Sequence, residues 1–219
     1  MTSEFVHRLD GVPKGARAHS VSAVAATVEG RGALRISLTD EVSLHGVPGR
    51  DYIDAPTFLE LPVAFADGTI EVDIRSGLHR LAPDYARGFA GVAYRISPRR
   101  DHFDCVYVRP LNGLRTNPPP PRDRRAVQHF SYPEWTFDRL REAYPDGRYE
   151  AGAEIGPDQW LHLRLDVQGE RCRVTVDGVP VLEVTTHGSW GMGAVGLFVD
   201  IGTEAYFADL RVVSGSVLD

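Results

Sequence analysis

Residues 160–179, WLHLRLDVQGERCRVTVDGV, alternate apolar and polar side chains along two successive segments. Leu161, Leu163 and Leu165 recur at every second position of the first segment. Because successive side chains on a strand point to opposite faces of the sheet, each segment is predicted to be a strand with one buried face. Asp177-Gly178 follows the second segment, and this dipeptide is typical of a tight hairpin turn because it tolerates positive φ. The stretch therefore predicts antiparallel β structure with the three leucines in the core.

The same alternation recurs over residues 33–38 and 70–75, and the 22 Gly and 15 Pro are spread so evenly that they leave no room for long helices. The helical spacing of Phe137, Leu140, Arg141 and Tyr144 predicts one short helix from Phe137 to Tyr144, with an irregular segment as the alternative. The last strand, near residues 206–213, is expected to pair near the first and to bring the termini together. No repeat or change in composition marks a boundary, so residues 1–219 are predicted to be one all-β domain. Two stacked antiparallel sheets forming a jelly-roll sandwich are the expected architecture, since each sheet must bury its apolar face.

The composition excludes some classes of partner. The 24 basic and 30 acidic residues give a net charge of −6, which argues against a general nucleic-acid-binding surface. No run of 18 apolar residues could span a membrane. The first residues lack the basic and then apolar pattern of a secretory signal, so we expect a cytoplasmic protein. Cys105 and Cys172 lie in alternating segments and are predicted to be buried free thiols.

Residues 109–149 break the β pattern, and long irregular insertions are more often functional than idle. Four consecutive prolines, 118–121, predict a stiff surface loop, with a polyproline ligand for a partner domain as the alternative. The arginine-rich cluster 122–125 predicts a solvated loop, with a grip on a phosphate group as the alternative.

The polar faces of three strands offer a place for a ligand. Glu71 and Asp73 share one face of their strand, and Tyr107 and Arg109 share a face of another. Small residues lie on one face of the segment 87–97, which leaves room for a close approach to the backbone. If these strands are neighbours in one sheet, they present carboxylates, an arginine and a tyrosine around a small-residue floor, which suits a sugar. An ordinary solvated face with cross-strand ion pairs is the alternative.

Glu71 and Asp73 also raise the possibility of glycosidase chemistry. Residues i and i+2 on a strand lie about 6.5 Å apart at the backbone. Hydrolysis of a glycosidic bond commonly uses two carboxylates about 5–5.5 Å or about 6.5–9.5 Å apart, so the spacing permits it, although any exposed strand can show it. The eight histidines show no zinc-motif pairing, and no nucleophile elbow, phosphate loop or dinucleotide fingerprint occurs.

Three segments carry a family resemblance: VYVRPLNG at 106–113, QHFSYPEW at 128–135 and GTEAYFADL at 202–210. In this order they resemble bacterial concanavalin-A-like (laminin-G-like) β-sandwich proteins of the group that contains 3-keto-disaccharide hydrolases. The likeness covers about residues 65–213. It implies a jelly-roll sandwich whose concave sheet carries the ligand site, and a calcium ion on the convex side with Asp209 as the matching ligand. Ser76 departs from the Glu-x-Asp-x-x-Glu strand of family 16 glucanases, which counts against their double-displacement chemistry.

We predict a pocket in which an arginine positions the ligand, an aromatic ring stacks on a sugar, and carboxylates exchange protons. The predicted ligand-binding residues are Tyr107, Arg109, Gln128, Tyr132, Trp135 and Arg141, and the predicted proton-exchanging residues are Glu71, Asp73 and Glu150. Glu71 and Asp73 are expected at the pocket floor or edge. Arg109 is expected to be exposed and to contribute little to stability. The alternative is a structural Arg109–Glu150 ion pair that pins the loop.

Three functions stay open from the sequence. The first is a carbohydrate-active enzyme, a hydrolase or lyase that acts on a small sugar or glycoside. The second is a non-catalytic, lectin-like sugar-binding module. The third is an enzyme of small-molecule biosynthesis that reuses the concave pocket.

Overall fold

In the computed structural model, residues 2–188 and 191–215 are described, and they form two stacked antiparallel sheets. Strands are numbered along the chain. Sheet A contains, in spatial order, β13 (Val179–Thr185), β12 (Arg171–Val176), β11 (Trp160–Gln168), β6 (Gly68–Leu78), β15 (Thr203–Ser214), β4 (Arg31–Leu38) and β3 (Val21–Val28), with β1 (Ser3–His7) also paired to β15. Sheet B contains β10 (Glu150–Ala151), β9 (Val127–Tyr132), β8 (Phe103–Val108), β7 (Ala90–Ile96), β14 (Gly193–Val199), β5 (Phe58–Phe65) and β2 (Arg17–His19).

The helical elements are short and lie in the connections. They are α1 (Asp40–His45), α2 (Phe137–Ala143) and single 3-10 turns at Pro110–Asn112, Leu114–Thr116 and Arg122–Arg124. No helix within the described ranges is long and apolar enough to cross a membrane. The predicted all-β sandwich with a short helix after residue 136 is confirmed.

Sheet A shows the alternation that its sequence predicts. Leu161, Leu163 and Leu165 are buried, whereas the residues between them are partly exposed. Asp177 and Gly178 both have positive φ, 49° and 79°, in the turn between β12 and β13. Strand β15 pairs with β1, so the two ends of the described chain lie side by side as expected.

The centre of sheet B is buried on both faces, because loops cover the face turned away from sheet A. Every residue of β7 and β8 is buried. Tyr94 lies beside Cys172 of sheet A, so the face of sheet B that carries Tyr94 points into the sandwich. Tyr107 lies on the opposite, outer face. Its cross-strand partner is Gly91, which is three residues from Tyr94 on β7, and residues an odd number apart on a strand point to opposite faces. Both cysteines are free and buried, as predicted.

One assumption about the sheets is wrong. Strand β6, which carries Glu71 and Asp73, pairs with β11 and β15 in sheet A. Strands β7 and β8 pair with each other in sheet B. The three strands are therefore not neighbours, and Glu71 and Asp73 lie on the outer face of the opposite sheet from Tyr107.

Candidate functional site

A cavity of about 300 Å³ opens on the outer face of sheet B, between the ends of β7, β8 and β14 and the loops that cover them. This volume is at the lower end of the range for small-molecule sites. Its walls combine aromatic rings with many charged groups. The lining residues are Ile53, Asp54, Tyr85, Arg87, Phe89, Tyr107, Arg109, Asn112, Arg122, Arg125, Phe137, Arg141, Asp200 and Ile201.

A strained turn places the Asp54 carboxyl in this cavity. Ile53 and Asp54 have φ values of 68° and 54°, a region that β-branched isoleucine rarely adopts. Asp200, at the end of β14, holds the turn because its carboxylate accepts from the backbone amides of Ile53 and Asp54, at 2.9 Å each. It also accepts from the Ile201 amide at 2.6 Å. Strain that is held in this way is found mainly at functional sites.

The environment of Asp54 favours its protonated form. Burial raises the pKa of Asp54 to about 7, and the nearby charge of Asp200 adds to the effect. The Phe137 amide, which donates to Asp54 Oδ2 at 2.7 Å, and the Arg109 charge offset only part of it. Burial also raises the pKa of Asp200. Asp54 can therefore exchange a proton near neutral pH, as a general acid or base must.

Arg109 is buried rather than exposed, which corrects the prediction from the sequence. Its guanidinium donates to the Tyr107 hydroxyl at 2.8 Å and to Gln128 Oε1 at 3.1 Å. It also donates to Glu150 Oε1 at 2.7 Å. The Arg109–Glu150 ion pair of the alternative interpretation is thus present, yet the cavity lies beside it.

Glu150 is the shared partner of three arginines and does not line the cavity. Besides Arg109, it pairs with Arg141 at 2.6 Å and with Arg125 at 3.5 Å. Burial alone would raise the pKa of Glu150, but the hydrogen bonds and charges of Arg141 and Arg109 hold it below its ordinary value. Glu150 therefore stays ionised, which suits a role in positioning arginines better than the predicted role in proton exchange.

The remaining predicted binding residues divide between the cavity and its surroundings. Arg141 lines the cavity together with Tyr107 and Arg109. Gln128 is fully buried behind Arg109. Tyr132 stacks on Phe103, with ring centroids 4.9 Å apart, and so lies elsewhere on sheet B.

The aromatic part of the cavity wall also differs from the prediction. Trp135 stacks on His187 at 4.0 Å and is not a lining residue. Phe89, Phe137 and Tyr85 provide the rings at the cavity instead. Tyr132 and Trp135 therefore do not provide the rings at this cavity.

Glu71 and Asp73 belong to a charged network on the outer face of sheet A. Glu71 accepts from Arg164 at 3.0 Å and from Arg211 at 3.1 Å. Asp73 bonds to His162 at 2.6 Å and also to Arg31. Burial alone would raise the pKa of Glu71, but the hydrogen bonds from Arg211 and Arg164 hold it below its ordinary value. These two carboxylates are not at the floor or edge of the cavity, contrary to the prediction.

The surroundings of Asp209 do not fit the calcium site that the resemblance implies. Asp209 Oδ2 accepts from the Arg31 guanidinium at 2.5 Å. Calcium takes six to eight oxygen ligands, and the arginine cation bound to this carboxylate disfavours a second cation. Over residues 2–188 and 191–215, no three His, Cys, Asp or Glu side chains are grouped so as to hold a metal ion.

Several residues that line the cavity were not among the predicted binding residues, although the sequence singled out some of them for another reason. Arg122 and Arg125 belong to the arginine cluster for which a solvated loop was expected, and both line the cavity. Asp54 had no signal, because it lies in an irregular loop where no periodicity fixes the direction of a side chain, and Arg87 lies before β7 begins at Ala90. Asp200 lies just beyond β14, where its carboxylate meets a loop that is distant in sequence.

Solved structures with the same architecture include carbohydrate-binding and carbohydrate-cleaving proteins. The carbohydrate-binding module CBM66 from Bacillus subtilis has a TM-score of 0.54 and 15% identity, covering 89% of this chain and 96% of the other. The β-glucanase of Bacillus licheniformis has a TM-score of 0.53 and 13% identity, covering 97% and 98%. A β-1,3-1,4-glucanase (lichenase) from a mouse hindgut metagenome has a TM-score of 0.56 and 12% identity, covering 97% and 99%.

These likenesses show the fold: the chain is a jelly-roll sandwich of the β-glucanase and lectin-like type. At such low identity they do not transfer an activity, because one fold hosts many functions. No family model matches the sequence. No curated protein matches it either.

Proposed function

We propose that the protein is a carbohydrate-active enzyme that binds a small sugar or glycoside in the cavity over sheet B and cleaves it with Asp54 as the acid–base group. The observation that carries this proposal is the buried Asp54 carboxyl at the cavity wall, with its pKa raised to about 7. Carboxyl groups with such raised pKa values are concentrated at catalytic sites. The carbohydrate-binding and glucanase structures of this fold support a sugar as the ligand.

The other cavity residues fit a sugar ligand. Phe89 and Phe137 provide apolar ring surface for the C–H face of a sugar ring. The Arg109 guanidinium fixes the Tyr107 hydroxyl by donating to its oxygen, so the hydroxyl proton is directed to another acceptor, and the Asp54 carboxyl lies within its reach. In hydrolysis, protonated Asp54 donates its proton to the leaving glycosidic oxygen as the anomeric C–O bond breaks. Water supplies the hydroxyl group to the anomeric carbon, and its remaining proton passes to the solvent, from which Asp54 is reprotonated.

The proposal is tested by turnover of a panel of glycosides that includes a 3-keto-disaccharide, since the resemblance points to that group of hydrolases. Asp54→Asn is expected to lower kcat/KM by about 10²–10⁴, the usual contribution of general acid–base catalysis. Wild-type kcat/KM should fall as the pH rises above about 7, because the acid loses its proton.

Asp104→Asn is the matched control. Asp104 is also buried and its pKa is also raised, to about 6, but it faces the sandwich interior and accepts from Ser131 at 2.5 Å. This variant should keep the wild-type kcat/KM. Equal activity of Asp54→Asn and the wild type would refute the role of Asp54.

A non-catalytic sugar-binding module is the second candidate, and one observation favours it. Asp200 is the other carboxylate at the cavity, and both of its oxygens are engaged by backbone amides. A glycosidase that uses two free carboxylates therefore lacks its second one here. Sugar binding by calorimetry without turnover of any panel member would establish this second function.

A further inference from the structure

The charge of the cavity wall is strongly unbalanced toward arginine. Five arginines and two aspartates line the cavity: Arg87, Arg109, Arg122, Arg125, Arg141, Asp54 and Asp200. Glu150, behind the wall, is the carboxylate partner of three of these arginines. Burial raises the pKa of Asp54 to about 7, so this carboxyl offsets less of the positive charge than an ordinary aspartate would.

Two of the arginines are not committed to a carboxylate. The Arg87 guanidinium donates to the backbone oxygens of Asp84 and Ala86, at 2.8 and 2.6 Å. Among the described residues, neither Arg87 nor Arg122 forms a salt bridge. The two lie close enough that burial and the charge of Arg122 together lower the pKa of Arg87. Two like charges close together at the cavity mouth repel each other, and an anion bound between them would relieve that repulsion.

The exposure of the lining residues shows which end of the cavity is its inner end and which is its mouth. Asp54 and Tyr107 are almost completely buried, with 1% and 2% of their surface exposed. Arg122 is exposed and Arg87 is half-buried, so both lie nearer to solvent. A ligand whose reacting bond lies at Asp54 would therefore place its outer end between Arg87 and Arg122.

Resting on the proposed function, we infer that the ligand is an acidic sugar, whose carboxylate or phosphate group is bound by Arg87 and Arg122 while its ring lies against Tyr107 and Phe89. The planar guanidinium suits this task because it donates paired hydrogen bonds to carboxylate and phosphate oxygens. The positive cavity mouth would also draw an anionic ligand in, although the chain as a whole carries a net charge of −6.

The test is isothermal calorimetry with four probes on the full chain: a neutral hexose, the corresponding hexuronic acid, the hexose 6-phosphate and inorganic phosphate. The acidic sugars are expected to bind about tenfold or more tightly than the neutral hexose, as charge-assisted hydrogen bonds to arginine would produce. The tighter of the two acidic sugars identifies carboxylate or phosphate as the natural group. Arg87→Gln/Arg122→Gln should remove the preference for the acidic sugars over the neutral hexose.

Arg124→Gln is the matched control, because Arg124 lies in the same 3-10 turn as Arg122 but does not line the cavity. It should bind all four probes as the wild type does. Equal affinity of the wild type for neutral and acidic sugars would overturn the inference while leaving the proposed function intact. Inorganic phosphate that binds as tightly as the acidic sugars would also overturn it, since the cavity would then recognise an anion without a sugar. Failure of the proposed function has a different signature, namely acidic sugars that bind but are not turned over.

Discussion

Carboxylates lie beside arginines on the outer faces of both sheets, but these charged side chains are more exposed to solvent on sheet A than on sheet B. On sheet A, the side chains of Glu71 and Arg211 are 16% and 49% exposed, and each charge has partners on neighbouring strands. On sheet B, the side chains of Arg109 and Glu150 are 4% and 5% exposed beneath the covering loops. Burial raises the pKa of Asp54 there, whereas the paired Glu71 has a lowered pKa. Similar residue types thus form a solvated ion network on one face and a candidate reaction site on the other.

The largest effect that separates the two faces is expected from Arg109→Ala. Removing one partner of a buried ion pair leaves Glu150 with an uncompensated charge, so the free energy of unfolding should fall by about 3–5 kcal/mol. Arg211→Ala, on the outer face of sheet A, should cost no more than about 1 kcal/mol. Urea denaturation of both variants measures the difference. Similar losses for the two would show that the faces are not energetically distinct.

Ionisation of Asp54 should lower the free energy of unfolding as the pH rises, which is unusual for a carboxyl group. Its pKa is about 7 in the folded protein against an ordinary value near 3.8, so the folded state binds the extra proton between those pH values. Wild-type stability should therefore fall as the pH rises from about 4 to about 7, by about 4 kcal/mol from this group. Asp54→Asn should remove most of that slope, leaving a contribution of the same sign from Asp200. A profile unchanged by Asp54→Asn would contradict its raised pKa.

The strands of sheet A were easier to predict from the sequence than those of sheet B, because only one face of sheet A is exposed to solvent. One face of β11 packs in the core and the other meets solvent, so the chemistry of its side chains alternates with the backbone. In β7 and β8 every position is buried, and the direction of each side chain cannot be inferred from polarity. The prediction that Tyr107 and Arg109 share one face nevertheless agrees with the structure, since both residues line the cavity.

The candidate site was only partly predictable because long-range contacts create it. Asp54 owes its position to Asp200, 146 residues away in sequence, and to Phe137, 83 residues away. Local periodicity carries no information about such contacts. The pairing of β6 with β11 and β15 is likewise long-range, which is why Glu71 and Asp73 were placed beside the wrong strands.

The two sides of a single strand of sheet A provide a third test. Leu163 is fully buried, and Leu163→Ala should lower the free energy of unfolding by about 2–5 kcal/mol through lost burial and a residual cavity. His162, its neighbour on the outer face, has a side chain that is 44% exposed. His162→Ala should cost no more than about 1 kcal/mol, since it breaks partly solvated contacts with Asp73 and Glu71. Denaturant midpoints in the reverse order would mean that the face assignment of β11 is inverted.

The smallest expected effect belongs to Glu71→Gln, and its pH dependence should run opposite to that of Asp54. Arg211 and Arg164 hold the pKa of Glu71 below its ordinary value, so its stabilisation is present above that value and is lost as the pH falls through the folded pKa. At neutral pH the variant should lose no more than about 1 kcal/mol, because the arginines are partly exposed.

Salt and acid should each shrink this loss. Added salt screens exposed charges, so the difference between Glu71→Gln and the wild type should decrease as salt is raised to about 1 M. It should also shrink as the pH falls through the lowered pKa of Glu71, because protonation removes the advantage of the carboxylate over an amide. Asp54→Asn, in contrast, should differ least from the wild type in acid and most at high pH. A Glu71 effect that is independent of salt, and as large as that of Arg109→Ala, would mean that the network on sheet A is as shielded from water as the cavity on sheet B.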